Sequence, residues 1–542
     1  MANLARSIRQ PTTLWVCGLW LALMAAAPSL MMKDPGMFWH TVVGEEMLRT
    51  GSVVTTDTFS FTQEGESWLA QQWLGELAMA VAHRLGGLDS VITLAISIIT
   101  LIFGLIFWKA LRSGLPLAIC ALVTILTIAA SSYHFIPRPH LFTMLAMLVL
   151  MLILARLDRQ PSHSRWALIL PPLFLIWTNT HGGALGGIAT FTLYCLLWLL
   201  QPYIGMLRVT EAVSRYQRAR TTKFLAVALG LVLVTPLINP FGIALPRTWV
   251  SLMGSDLLPK VIIEHAPLDF TAPEGLMILT LASIYFYILA GAWRVERRIH
   301  WLLPAVWFLL ACSRVRHGPL FAISAGVVII DMWRFHPRLR TRFTAPRNDE
   351  TTRTTLVSGT LSPLMALTCV ALLLQTADIK CPLIGANRCS PQAPIWPVTA
   401  LPDLQRLTDR SKRPLRVFNE MRYAGYLIYA LPEAAVYIDD RCELYRDVGL
   451  HRYLELFSHP ERLPGELHRY QIDAALVSIG SPFARQLSNM PNWRTIFEDS
   501  TVAVFAQQNS PGYRTALARD CARTPGAGNP GDMSYNAYSV ED

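Results

Sequence analysis

Charge is scarce in this sequence: only 15% of its 542 residues are Asp, Glu, Lys or Arg, while 52% are hydrophobic. Soluble chains carry about 25% charged residues, so the composition excludes a protein that is soluble throughout. Nucleotide-handling signatures are missing too, with no P-loop, no Gly-rich dinucleotide turn and no paired zinc motif. No internal repeat or matched pair of broken hydrophobic segments marks a transporter. The net charge of +10 does not come from a basic stripe interleaved with aromatics, which excludes nucleic acid as a partner. Cys17, Cys120, Cys195, Cys312 and Cys369 lie in apolar runs, where a thiol acts as a small hydrophobe. Cys381, Cys389, Cys442 and Cys521 follow those runs; if that region is exported, disulfides are permitted, with Cys381–Cys389 the expected pair.

What the chain has in abundance is long apolar runs, confined to residues 13–374. Candidate spans are 13–32, 89–108, 115–131, 139–155, 166–179, 184–203, 223–238, 275–293, 301–312, 317–333 and 357–374. The expected fold class is therefore a polytopic α-helical membrane protein of about eleven transmembrane helices with a C-terminal α/β extracytoplasmic domain. Residues 1–374 form the membrane domain, including a first exported loop at 33–88, and 375–542 the appended domain. Span 301–312 is short and 166–179 contains Pro171-Pro172, so both also fit re-entrant segments.

Basic residues set the orientation. They gather on alternate connections, at Arg6 and Arg9, Lys109 and Arg112, Arg156 to Arg165, Arg208 to Lys223, Arg294 to Arg298 and Arg334 to Arg353. This places the N-terminus in the cytoplasm and, with an odd number of spans, residues 375–542 outside it. Arg6 and Arg9 before a run ending Ala25-Ala26-Ala27 also fit a cleaved signal peptide, but continuation through Leu30-Met31-Met32 favours a retained helix.

The first exported loop carries the acids. Asp34 emerges directly from the first span, is restrained by Pro35, and is followed by Phe38, Trp39 and His40, aromatic residues suited to headgroup level. Thr41 to Leu48 has helical periodicity, Thr55 to Phe61 reads as a turn and strand, and Trp68 to Leu85 as an amphipathic interfacial helix. A carboxylate at the membrane boundary is partly desolvated, which suits a general base; Asp34 is the first candidate and Asp57 the reserve. Glu45, Glu64 and Glu66 read as solvated loop charges.

Other polar residues interrupt apolar segments on the same side: Arg138, His140, Asn179, His181, Asn239, Glu264, His265, Arg314, Arg316 and His317. Polar groups near membrane depth are costly unless paired or lining a cavity, so their shared side suggests one polar site. Arg138, Arg314 and Arg316, with His317, suit a phosphate carried by a lipid, and Arg314 is the first choice among them. Trp39, His40, Asn179, His181, Glu264 and His265 are the candidate substrate contacts.

Several motifs carry a family resemblance. Asp34 to His40, Gly51 to Phe61 with Thr56-Asp57, Trp68 to Glu76, Arg138-Pro139-His140-Leu141-Phe142, Asn179 to Gly183 and Asn239-Pro240-Phe241-Gly242 resemble the GT-C glycosyltransferases, and within them a bacterial subgroup. The resemblance continues through Arg416 to Asn419, Arg422 to Ile428 and Ile438 to Tyr445, and covers most of the chain. It implies transfer of a hexosyl or pentosyl unit, with inversion, from a polyprenyl-phosphate donor to a glycan, lipid or protein acceptor. The expected setting is the bacterial inner membrane, with membrane lipids the other partners. Members of the subgroup commonly carry a second acid two positions after the first; here that position is Gly36, so a two-acid metal motif is absent and no metal or other cofactor is expected. A metal would need a ligand such as Asp57.

In the C-terminal region, apolar strands are expected at 415–418, 425–431, 434–439, 472–478 and 501–506. Asn419, Arg422, Asp439 and Arg441 form a polar cluster there that either packs the domain or recognises the acceptor. The competing function is a non-catalytic assembly or binding component of an envelope-glycan pathway; a transporter is third.

Overall fold

The computed structural model describes residues 10–204, 214–342, 359–510 and 513. Arg6, Arg9, Arg208, Arg347, Arg353 and Cys521 lie outside the described residues. The chain divides into two compact units, the first comprising Met1–Asp57, Gln63–Pro391 and Asp440–Arg452, the second Thr58–Thr62, Gln392–Asp439 and Tyr453–Asp542.

The first unit is a helical membrane body. Its helices are α1 (Pro11–Leu30), α2 (Gly36–Thr50), α3 (Trp73–Arg112), α4 (Leu117–Ala129), α5 (His140–Arg159), α6 (Leu170–Thr180), α7 (Ala184–Leu200), α8 (Arg215–Val234), α9 (Ala244–Met253), α10 (Pro273–Ala292), α11 (Leu303–Ser313), α12 (Gly318–Met332) and α13 (Leu361–Thr376). Six helical stretches among the described residues are long and apolar enough to cross a membrane: Pro11–Leu30, Trp73–Arg112, His140–Arg159, Arg215–Leu237, Pro273–Ala292 and Val315–Phe335. Of the about eleven expected spans, these six reach full crossing length. Leu117–Ala129, Ala184–Leu200, Ile299–Ser313 and Leu361–Thr376 are apolar but shorter, because turns end them before a full membrane thickness is covered. Every residue of α12 is buried, which makes it the centre of the body.

The first connection also departs from expectation. Trp68 to Leu85 is not a separate interfacial helix: α3 starts at Trp73 and runs through Gly86 and Gly87 into the membrane stretch. Gly87 has φ 62°, a left-handed conformation that glycine adopts without strain, and the two glycines let the helix bend where another residue would end it. Thr55 to Phe61 forms only isolated bridges, Thr56 with Ser67 and Ser60 with Val436. Cys381 and Cys389 are free thiols; Cys389 is buried, and Asp89 anchors it by accepting its backbone N–H at 2.9 Å.

The second unit is built on a five-stranded sheet of order β2-β1-β3-β5-β4, from β1 (Leu415–Asn419), β2 (Ala434–Val436), β3 (Ala474–Ser478), β4 (Trp493–Glu498) and β5 (Val502–Gln507). β1 pairs in parallel with β2 and β3, while β5 is antiparallel to both β3 and β4. The expected strand at 425–431 is instead part of a helix, α14 (Met421–Ala430), with Tyr423, Ala424, Leu427 and Ile428 buried at helical spacing. This helix is the crossover that parallel β1 and β2 require. The protein is thus a polytopic α-helical membrane protein with a mixed α/β region outside the membrane body.

Candidate functional site

Asp34 lies in the short turn between α1 and α2. Its Oδ1 accepts the backbone N–H of Gly36 at 2.8 Å and also the Nε–H of Arg138. One carboxylate oxygen is therefore fixed by two donors, while Oδ2 has no hydrogen-bond partner among the described residues. The side chain is 14% exposed, and burial pushes its carboxyl above the ordinary range, with Arg138 pulling the other way.

Arg138, two residues before α5, gathers three carboxylates. Beyond Asp34, its Nη2 donates to Asp440 Oδ2 at 2.7 Å and its Nη1 lies 3.9 Å from Glu264 Oε1. Burial disfavours the cation, but Asp34, Asp440 and Glu264 outweigh it and raise the guanidinium further above its ordinary value. The same guanidinium explains Gly36: a Cβ there would collide with Nε, Cζ and Nη2 of Arg138. The space for a second acid two residues after the first is filled by arginine.

Trp39 donates Nε1–H to Asp440 Oδ1 at 2.8 Å. The His40 ring lies against Trp39, tilted by 32° with centroids 3.6 Å apart, and meets Glu76 Oε1 through Nδ1 at 2.8 Å. Burial drives the His40 imidazole well below its usual value, so it is neutral and shares a single hydrogen bond with Glu76. Gly44 permits this pairing, because a Cβ there would strike the Glu76 carbonyl and hold α2 away from α3. Asp57 has a different setting: it pairs with Arg441 at 2.7 Å, both side chains are wholly buried, and Arg441 lies 4.7 Å from the Trp68 ring centroid.

A second group is cationic. His265 Nδ1 is 3.4 Å from Arg314 Nη1, and its Nε2 contacts Arg316 Nη1. Burial and the two arginines hold His265 down at about 3, so it is neutral. A neutral imidazole accepts on only one ring nitrogen, yet guanidinium donors face both. Arg314 also donates to the Met253 carbonyl at 3.1 Å, and neither Arg314 nor Arg316 has a carboxylate at ion-pair distance among the described residues. Glu264 links the two groups: burial would raise its carboxyl, but Arg138, His134, Arg316 and His140 bring it down to about 2. His317 donates Nδ1–H to the Leu310 carbonyl at 3.1 Å.

The remaining expected contacts divide. His181 Nδ1 accepts the Gly183 N–H at 2.9 Å, which puts its proton on Nε2, and His140 stands 6.4 Å away ring to ring, giving Nε2–H to the His134 carbonyl. Asn179 is a staple: it donates to the Leu175 and Ile238 carbonyls and accepts from Trp73 Nε1. Asn419 likewise braces its own unit, donating to the Ile438 carbonyl and accepting from Tyr437 N–H at 2.8 Å each. Asp439 is buried and Arg422 lies over Tyr423, both in the second unit, whereas Arg441 belongs to the first. Glu76 is one of the acids that the first exported loop concentrates beside the membrane, whereas Asp440 is marked in the sequence only by the polar run Asp439-Asp440-Arg441-Cys442-Glu443 between apolar segments.

Beside this region lies an open groove of about 450 Å³, lined by Trp73, Leu74, Leu175, Ile176 and Ile238 with Asn179 and Asn239. Gly75, next to the groove, packs against Pro139 and the Thr180 carbonyl, the neighbours of Arg138 and His181.

No protein-family model and no curated protein matches the sequence. The fold is similar to that of ArnT from Cupriavidus metallidurans bound to undecaprenyl phosphate, at 16% identity, covering 92% of this chain and 98% of that one with a TM-score of 0.51. The apo state of the same protein aligns at 15% identity over 91% of this chain and 97% of that one, TM-score 0.49. The oligosaccharyltransferase of Archaeoglobus fulgidus, tethered with an acceptor peptide, aligns at 9% identity over 87% and 70% of the two chains, TM-score 0.48. At these identities the likeness is one of fold alone; it indicates no particular subgroup.

Proposed function

We propose that this chain is a glycosyltransferase of the cytoplasmic membrane of a bacterium, moving a sugar from a polyprenyl-phosphate donor to an envelope glycan, lipid or protein acceptor on the non-cytoplasmic face. The observation that carries this reading is the separation of two chemistries within one unit. Asp34 is held by one oxygen and offers the other, while Arg314 and Arg316 flank a neutral histidine with no carboxylate of their own. A phosphate placed between these arginines would relieve the donor-against-donor contact at His265 and receive paired charge-assisted hydrogen bonds. Asp34 would take the proton of the acceptor hydroxyl as it attacks the anomeric carbon, and the arginines would stabilise negative charge on the departing lipid phosphate.

Arg138 has another part in this reading. Surrounded by three carboxylates it would repel rather than miss a phosphate, so it serves the acid and not the donor. The groove of Trp73, Leu175, Ile176 and Ile238 suits the donor's hydrocarbon, since Ile176 and Ile238 are 60% and 53% exposed beside the site. The ArnT structure holds undecaprenyl phosphate, a ligand of the same class. This reading keeps the C-terminal region extracytoplasmic, which the basic residues on alternate connections favour and which requires an odd number of crossings, shorter apolar helices counted with the six long ones.

The test is twofold. Envelope glycans and glycoproteins from cells lacking this chain are compared by mass spectrometry with those of the parent, and the sugar that disappears is supplied on a polyprenyl phosphate to the purified protein. Loss of one defined sugar and its transfer in vitro are expected. An unchanged envelope glycome would remove the basis for the reading.

A further inference from the structure

Segment 440–452 belongs to the first unit, although the chain on either side of it belongs to the second. Its backbone is not at rest: Arg446 has φ 51°, the left-handed region that non-glycine residues rarely occupy. Side chains pin it to separate connections of the membrane body. Arg441 pairs with Asp57 at 2.7 Å, Glu443 accepts from Trp68 Nε1 at 3.0 Å, and Asp447 accepts from the Ser255 hydroxyl.

Asp440 is the fourth of these pins, and it differs from the rest in what it holds. Its Oδ1 takes Trp39 Nε1–H at 2.8 Å and its Oδ2 takes Arg138 Nη2–H at 2.7 Å, so both oxygens are committed and the carboxylate is fixed. The guanidinium it grips is the one bound to Asp34. A guanidinium is planar, and turning it to break one of these contacts misaligns the other. No nearer residue can do this work at position 36, where Arg138 already fills the space of a side chain.

We propose that Asp440 is a positioning residue of the active site, which locks the plane of Arg138 and thereby sets the direction of the Asp34 carboxylate. The proposal rests on the reading of Asp34 as the base. Asp440 itself neither gives nor takes a proton in the reaction. It works through geometry, and misplacement of a reacting group by about 1 Å costs about 10²-fold in rate.

The experiment uses the full chain in lipid nanodiscs and the Asp440→Asn variant, which keeps an acceptor for Trp39 but loses the charge that holds Arg138. Expected are a kcat lower by about 10²-fold, an unchanged KM for the lipid donor, and no further loss when Asp440→Asn is added to Asp34→Asn. A second readout needs no transfer: modification of Arg138 by phenylglyoxal, followed by peptide mass spectrometry, should be several-fold faster in Asp440→Asn. Trp39→Phe, which frees Asp440 from its other anchor, serves if Asp440→Asn does not fold, and should lower kcat and raise Arg138 reactivity in the same sense. If the parent transfers no sugar but Arg138 is released to the reagent, the functional reading has failed and the positioning role stands. Parental kcat in a folded variant, or unchanged Arg138 reactivity, overturns the positioning role.

Discussion

Asp34 and Asp440 share one guanidinium, that of Arg138, although one acid follows the first membrane helix and the other lies far along the chain. Arg138 is thereby saturated with carboxylate, whereas Arg314 and Arg316 are not. The arginines are expected to separate by function. Arg314→Ala and Arg316→Ala should each weaken binding of polyprenyl phosphate by about tenfold to hundredfold, the range of a lost charged hydrogen bond. Arg138→Lys keeps the charge but not the fork, and should lower turnover while leaving that binding nearly intact. Titration of each nanodisc-embedded variant with polyprenyl phosphate distinguishes them; strong loss only in Arg138→Lys would reverse the assignment.

Gly36 should resist substitution. Gly36→Ala places a methyl group in the space of the Arg138 guanidinium, and overpacking of this kind costs about 1–3 kcal/mol. A lower thermal midpoint together with reduced turnover is expected. A variant as stable and active as the parent would mean that Arg138 does not occupy that position.

Asp57 and Arg441 form a wholly buried pair, and removing one partner strands the other charge. Arg441→Met should therefore destabilise the fold by about 3–5 kcal/mol. Asp57→Asn should act in the same direction, through stability and not through proton transfer. Denaturation monitored alongside activity separates the two: a fully stable but inactive Asp57→Asn would make Asp57 the base.

Glu264 gives a pH signature. Its folded value of about 2 lies below the ordinary glutamate value of about 4.3, so the fold favours the charged form. Its contribution is present above about 4.3 and is lost as pH falls toward 2. Glu264→Gln should lower the thermal midpoint at neutral pH and flatten its decline across that window. A Glu264→Gln midpoint equal to the parent's at every pH would contradict the pairing with Arg138.

Local features were legible in the sequence and distant pairings were not. Asp34 could be read because Pro35, Phe38 and Trp39 follow it at the end of an apolar run, and the helical reading of Thr41 to Leu48 falls within α2. The role of Arg138 could not, because the acids that claim it arrive from three separate connections. Arginines that look alike in sequence differ only by the carboxylates that folding brings to them. The helix α14 reads as a strand in the sequence because a short apolar run fits either period, and β4 gives no signal because its exposed, polar-rich edge lacks an apolar run. Fewer spans reach full length because Leu117–Ala129, Ala184–Leu200, Ile299–Ser313 and Leu361–Thr376 are apolar but short as helices.

The most direct test of the account is the turnover of Asp34→Asn with the authentic donor and acceptor. A general base contributes about 10² to 10⁴-fold, so the variant should lose that factor while it folds and binds the lipid phosphate as the parent does. Burial holds the Asp34 carboxyl above its ordinary value of about 3.9, so the acidic limb of the parent's pH–rate profile should lie above that value and vanish in Asp34→Asn. Near-parental turnover of Asp34→Asn, with the acidic limb still present, would contradict the account.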